Sequence, residues 1–217
     1  MARDLNLEIT GSEFNLKLKN DKTRIKTNLI GRHNISNILA AAAFAITQGI
    51  NLEDIRKAME NFPGVKGRLE RIPEAEDRNV FVDYAHTPDA LENVLSILRQ
   101  LSKNKLTVVF GCGGERDRLK RPLMAEAVEK YADTIIITSD NPRGESPRDI
   151  ARETSQGIKI KDYKVILDRR EAIGYALEKS GSEDTILIAG KGHENYQIFK
   201  DRKIEFDDSR VVRDCLR

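Results

Sequence analysis

The chain has 217 residues, 39% of them hydrophobic and 33% charged, which suffices for one ample core or for one core plus a smaller partner at roughly 100–200 residues per domain. Thirty-seven Lys and Arg against 35 Asp and Glu leave a net charge of +2, too weak a field for a nucleic-acid binder. No apolar run approaches the roughly 18 residues of a membrane-spanning helix, and the longest candidate, Ile38 to Ile46, is expected as an alanine-rich buried helix.

The start, Met1-Ala2-Arg3-Asp4, lacks the basic region, apolar run and small-residue cleavage site of a secretory signal, so a cytoplasmic location is the expectation. Cys112 and Cys215 sit in unrelated contexts without zinc or disulfide spacing and are expected to be reduced and without a catalytic task.

Residues 1–30 alternate apolar and polar positions, with Gly11-Ser12 and Asn20-Asp21 between the runs, a pattern of short antiparallel strands and tight turns. A helix over Ser36 to Gln48, ended by Gly49, and a second capped by Asn51 follow. Phe62-Pro63-Gly64-Val65-Lys66-Gly67-Arg68 has linker composition, so a first domain is expected over residues 1–63, a hinge over 64–67 and a second domain over 68–217.

Beyond the hinge, apolar runs alternate with helical patterns. Strands are expected at Val80 to Asp83, Leu106 to Phe110, Thr134 to Thr138, Lys164 to Leu167 and Thr185 to Ala189, with helices from Pro88, Pro122, Pro147 and Arg169 between them. Thr87-Pro88 and Ser146-Pro147 are cap-then-proline helix starts. The alternation predicts an α/β fold with a Rossmann-like, mostly parallel sheet and helices on both faces.

Ligands of such sheets bind beyond the carboxyl ends of the strands, which directs attention to four loops. In Asp83-Tyr84-Ala85-His86-Thr87-Pro88-Asp89, Asp83 suits ribose hydroxyls and His86 a phosphate, against the plainer alternative of a helix cap and a surface histidine. In Gly111-Cys112-Gly113-Gly114, a glycine-rich backbone leads into Arg116, Arg118, Lys120 and Arg121, which suits an anion, although the loop is neither a P-loop nor a dinucleotide fingerprint; a solvated charged turn is the alternative. In Asp140-Asn141-Pro142-Arg143, the proline stiffens the backbone so that the amide of Asn141 and the guanidinium of Arg143 are presented together. In Gly190-Lys191-Gly192-His193-Glu194, the glycines allow close approach of a ligand and Glu194 suits an ammonium group. Upstream, Gly31-Arg32-His33-Asn34-Ile35-Ser36-Asn37 precedes the first helix, and the amide of Asn37 suits a purine edge.

Taken in order, these motifs together with Gly67-Arg68-Leu69-Glu70 closely resemble the Mur ligase family, in particular its tripeptide synthetases, over the chain from about Leu5 to its end. The Asp140 to Arg143 tetrad resembles that of members adding meso-diaminopimelate rather than lysine. The resemblance implies an ATP- and Mg²⁺-dependent ligase of peptidoglycan synthesis. It activates the carboxylate of UDP-MurNAc-dipeptide as an acyl phosphate, which the amino group of the incoming amino acid attacks to release phosphate.

It also implies that residues 1–63 are the end of a central ATPase domain and that 68–217 form the amino-acid-binding domain. The family's P-loop, carbamylated lysine and principal magnesium ligands would then precede this sequence, leaving it with no catalytic or metal-binding residue and no activity alone. By motif, Asn37 would contact adenine, Arg68 the phosphates and Asp83 the ribose, with His86 near the nucleotide. Asp140, Asn141, Pro142 and Arg143 would form the selecting tetrad; Asn141 and Arg143 would hold the far carboxylate of the amino acid, Gly190 and Glu194 its far amino group, and Arg116 another carboxylate. Small-molecule substrates, a monomer and no nucleic-acid partner are expected. The alternatives are another Mur ligase or a folylpolyglutamate synthetase, and a stand-alone nucleotide or amino-acid binding module.

Overall fold

A computed structural model describes residues 1–18 and 21–217, so Asn20 of the expected Asn20-Asp21 turn lies outside the described residues. The chain forms two compact units, Met1–Gly64 and Val65–Arg217.

In the first unit, strands β1 (Ala2–Glu8), β2 (Gly11–Leu18) and β3 (Asp21–Thr27) make an antiparallel sheet. Alternation along β2 and β3 buries Phe14, Leu16 and Ile25, and these pack against Ile35, Ile38 and Ala42 of α1 (Arg32–Thr47) and Ile55 of α2 (Leu52–Asn61). The first turn lies two residues earlier than expected, at Ile9-Thr10, because Glu8 pairs with Gly11. Gly11 belongs to the strand, where a Cβ would come within 2.4 Å of the Thr27 carbonyl on the neighbouring strand.

Helix α1 starts at Arg32, four residues before the expected Ser36, so the Arg32 to Asn37 motif lies on its first turns. Ser36 bonds back to the Arg32 carbonyl instead of capping. Nor is α1 buried all round: one stripe faces the sheet, whereas Phe44 is 68% exposed. Asn51 caps α2 as expected, accepting from the amide of Asp54 at 2.9 Å.

The second unit is built on a six-stranded sheet. Its strands are β4 (Glu70–Arg71), β5 (Asn79–Asp83), β6 (Leu106–Phe110), β7 (Thr134–Ile137), β8 (Tyr163–Val165) and β9 (Thr185–Ala189), in the order β4-β5-β9-β6-β7-β8. Only β4 runs antiparallel to its neighbour. The apolar runs of β5, β6, β7 and β9 are buried on both faces, as parallel strands between helix layers must be.

Helices α3 (Pro88–Leu101), α4 (Lys120–Tyr131) and α5 (Pro147–Ser155) pack in succession, and α6 (Arg169–Lys179) packs on β6, β7 and β9 with α7 (Asp208–Cys215) beside it. Val80, Val82, Val109, Ile136, Ile186 and Ile188 share one core with Ala172, Ile173 and Ala176 of α6 and Val211 and Val212 of α7. The intervening strand residues, such as Phe81, Val108 and Leu187, point to the opposite face. Thr87 and Ser146 cap α3 and α5, each with proline at the first helical position.

Chain order and sheet order differ at one place. The chain leaves β5, passes the position that β9 later fills, continues outward through β6, β7 and β8, and returns to insert β9 between β5 and β6. The strand-end loops around β9 therefore diverge and leave a crevice. An antiparallel hairpin, β10 (Tyr196–Ile198) with β11 (Lys203–Glu205), follows the β9 loop; the hairpin, β4 and α7 were not expected from the sequence.

Candidate functional site

The four loops after β5, β6, β7 and β9 converge on one cleft of about 580 Å³. His86, Arg116, Asp140, Asn141, Arg143, Gly190 and Glu194 all line it, as do Tyr84, Arg121 and Tyr196. Asp83, Arg68 and Pro142 do not line it, and Asn37 lies on the exposed side of α1 in the first unit, its amide donating to Asn34.

The glycines of the second loop have a packing task. A Cβ at Gly111 would fall 2.3 Å from the Thr138 carbonyl, and one at Gly114 would fall 1.9 Å from the Pro142 carbonyl. The glycine-rich backbone thus lets the second and third loops touch; it is not an open anion cradle. The four cations after it divide accordingly. Arg121 is buried and pairs with Glu145 at 2.9 Å and Glu153 at 2.6 Å, and Arg118 also pairs with Glu153. Arg116 and Lys120 line the cleft. Burial pushes the thiol of Cys112 up to about 11, with a hydrogen bond from Thr154 opposing, so it is an inert apolar wall group.

In the third loop Arg143 adopts φ 50°, a left-handed conformation rare for a residue with a side chain. The conformation is held by its own amide donating to Ile198 (3.0 Å) and by Nη1 donating to the carbonyls of Gly114 (2.8 Å) and Asn141 (3.3 Å). Nε and Nη2 have no partner among the described residues. Asn141 is used internally: Oδ1 accepts from Lys191 (3.2 Å) and from the Ile198 amide (3.0 Å), and Nδ2 donates to Glu194 Oε2 (3.0 Å). Its side chain shapes the cleft floor where the sequence suggested direct presentation to a ligand.

Glu194 receives both Asn141 Nδ2 and Lys191 Nζ (2.9 Å) on Oε2, leaving Oε1 without a partner among the described residues. Burial acts to raise its pKa, but the hydrogen bonds from Lys191 and Asn141 and the charge of Arg143 outweigh it and hold the carboxyl below its ordinary value. Asp140 behaves oppositely: burial pushes it up, and Lys191, 3.5 Å away, only partly offsets this. Beneath the loops Arg169 and Asp208 form a fully buried bidentate pair at 2.7 and 2.8 Å, and Arg169 also donates to the carbonyls of Ala189 (3.0 Å) and Ser139 (3.4 Å). Lys191, Tyr196, Arg169 and Asp208 were missed by sequence reasoning. The only available signal was a lysine inside a strand-end loop, since the others acquire meaning through contacts distant in sequence.

At the first loop, Asp83 accepts from the amides of Leu69 and Ala85, both at 2.7 Å, which fastens the Gly67-Arg68-Leu69 turn to the end of β5. Gly67 is wedged against the fourth loop, where a Cβ would lie 2.1 Å from the His193 amide, so Gly67 is fixed in the second unit and is not part of a loose joint. Around Tyr84 gather the His86 ring at 4.5 Å, the His193 ring at 4.9 Å and the Arg68 guanidinium at 5.0 Å. This exposed cluster of rings and one fixed cation suits a base and a phosphate. No group of three or more His, Cys, Asp or Glu able to hold a metal occurs among the described residues. No helix among them is long and apolar enough to cross a membrane.

The chain is 46% identical over its whole length to a UDP-N-acetylmuramoyl-L-alanyl-D-glutamate–2,6-diaminopimelate ligase of Halalkalibacterium halodurans and 47% identical to that of Syntrophomonas wolfei. It spans only 44% and 45% of those proteins. A solved structure of a ligase with the same name superimposes with a TM-score of 0.78 at 40% identity, over 99% of this chain and 44% of that one. A folylpolyglutamate synthase from Thermotoga maritima, 21% identical over 85% of this chain and 42% of its own, has the same fold with a TM-score of 0.69. Residues 67–192, more than half of the chain, match the family described as Mur ligase, glutamate ligase domain, and the chain therefore belongs to the Mur ligase family.

Proposed function

We propose that the Val65–Arg217 unit carries the amino-acid site of an ATP-dependent ligase that joins meso-diaminopimelate to UDP-MurNAc-L-Ala-D-Glu, and that residues 1–63 are the end of its central nucleotide-binding domain. One observation carries the reading: Arg143 and Glu194 line the same cleft, and Nε and Nη2 of the first and Oε1 of the second have no partner among the described residues. A guanidinium edge beside a carboxylate oxygen is the complement of a zwitterionic amino-acid end.

On this reading Arg143 meets the far carboxylate, Glu194 the far ammonium, and Arg116 a further carboxylate, with Gly190 letting the ligand approach the backbone. The near amino group is then directed at the acyl phosphate of the nucleotide-linked dipeptide, where it attacks the acyl carbon and phosphate departs. Orientation is this chain's share of the work. Arg68 and His86 meet the nucleotide beside Tyr84. Asp83 meets the ribose. ATP and Mg²⁺ belong to the complete ligase. The protein acts as a cytoplasmic monomer on small-molecule substrates. Lysine, lacking the far carboxylate, leaves Arg143 unpaired at a cost of about 1–3 kcal/mol.

Calorimetric titration of the chain with meso-diaminopimelate and with L-lysine tests the reading. Binding of the first at least tenfold tighter than the second is expected; equal affinities would remove the diaminopimelate assignment.

A further inference from the structure

Lys191 has no solvent exposure, an unusual state for a lysine and one that demands neutralisation by protein groups. Its Nζ lies 2.9 Å from Glu194 Oε2, 3.2 Å from Asn141 Oδ1 and 3.5 Å from Asp140 Oδ1, with the Tyr196 ring at 5.5 Å. Its neighbours are thus all protein groups, and it does not line the cleft.

One ammonium serves two carboxylates here, and it serves them unequally. Glu194 receives a hydrogen bond from it, whereas Asp140 Oδ1 is close enough for an ion pair yet has no hydrogen-bond partner among the described residues. The two acids diverge accordingly, Asp140 upward and Glu194 downward. The other charges around them are Arg143 from the third loop and the Arg169–Asp208 pair from α6 and α7, which is self-neutralising.

We propose that Lys191 is a positioning residue: the buried counter-ion that keeps Glu194 ionised and turned so that Oε1 faces a ligand ammonium in the cleft. The ligand half of this statement rests on the amino-acid reading of the cleft. The ionisation half does not, and the two are measured separately.

The carboxyl group of Glu194 is titrated by NMR in the ligand-free chain labelled with ¹³C-glutamate, as wild type and as Lys191→Met, a neutral residue of similar length. Loss of Lys191 leaves two buried acids together and is expected to raise the Glu194 value by about one pH unit or more. In the same proteins, affinity for meso-diaminopimelate should be level across neutral pH in the wild type. In Lys191→Met the loss of affinity on acidification should set in about one pH unit higher than in the wild type, because Glu194 takes up its proton earlier.

An unchanged Glu194 value overturns the inference whatever the ligand does, and a loss of affinity independent of pH does so too. A raised value in a protein whose wild type ignores diaminopimelate upholds the counter-ion and removes the amino-acid reading. If Lys191→Met does not fold, the Asp140→Asn/Lys191→Met pair, which deletes one charge of each sign, takes its place. Glu194 is expected above its wild-type value there as well, and a wild-type value overturns the inference.

Discussion

Arg143 Nη1 donates to the carbonyl of Gly114 at 2.8 Å, and a Cβ at Gly114 would fall 1.9 Å from the Pro142 carbonyl. These two residues interlock the second and third strand-end loops. Arg143 thereby has structural bonds on one nitrogen and, among the described residues, no partner on the other two. On the proposed reading, Arg143→Ala in a complete ligase containing this unit is expected to lower kcat/KM for meso-diaminopimelate by about 10²-fold, with the KM for ATP nearly unchanged. Arg143→Lys should recover only part, because a point charge cannot make two parallel hydrogen bonds. Arg143→Gly relaxes the φ of 50° while deleting the guanidinium, so it should lose the same substrate preference without a fall in melting temperature. Retained preference for diaminopimelate over lysine in these variants would dismiss the tetrad as the selector.

Gly114→Ala must push the Pro142 backbone aside and is expected to destabilise the second unit by about 1–3 kcal/mol and to weaken diaminopimelate binding with it. Gly174, inside α6, is the contrast. Its added Cβ would meet nothing closer than Cys215 Sγ at 3.8 Å, so Gly174→Ala should stabilise by about 0.5–1 kcal/mol. Thermal denaturation of the two variants side by side checks both signs.

The Arg169–Asp208 pair is buried beneath the cleft, with both side chains at 0% exposure. Asp208→Asn leaves the guanidinium uncompensated and is expected to cost about 3–5 kcal/mol by urea denaturation. Replacing both partners, as Arg169→Met/Asp208→Leu, should cost less than that single change. A double variant weaker than Asp208→Asn would show that the pair's bonds to the Ala189 and Ser139 carbonyls matter more than its charge balance.

Cys112 is buried and its thiol is pushed up to about 11, so it remains protonated throughout the neutral range, whereas Cys215 is exposed. One thiol per chain should react with a disulfide reagent near pH 8 in the folded protein, and two in denaturant. Mass spectrometry should locate the first at Cys215. Rapid labelling of Cys112 in the folded chain would contradict the closed packing of the second loop.

Much of the architecture was legible locally. Apolar runs of about five residues between capped helical stripes announce a parallel sheet because strands buried on both faces need continuous hydrophobicity, as in Leu106–Phe110 and Thr185–Ala189. Thr87-Pro88 and Ser146-Pro147 marked helix starts because a cap and a fixed φ act within a few residues. The chemical loops were legible too, since strand ends are where such sheets bind. Tertiary structure alone decided what the loop residues do. The glycines at 111 and 114 serve loop packing, Arg121 and Arg118 are spent on Glu145 and Glu153, and Asn141 is spent on Lys191, Ile198 and Glu194. Residue type records what a side chain is able to bond, but which bonds remain for a ligand depends on partners 24 to 57 positions away. The partners of Asn141 follow β9 in the chain and are brought beside the third loop by a strand that inserts between β5 and β6.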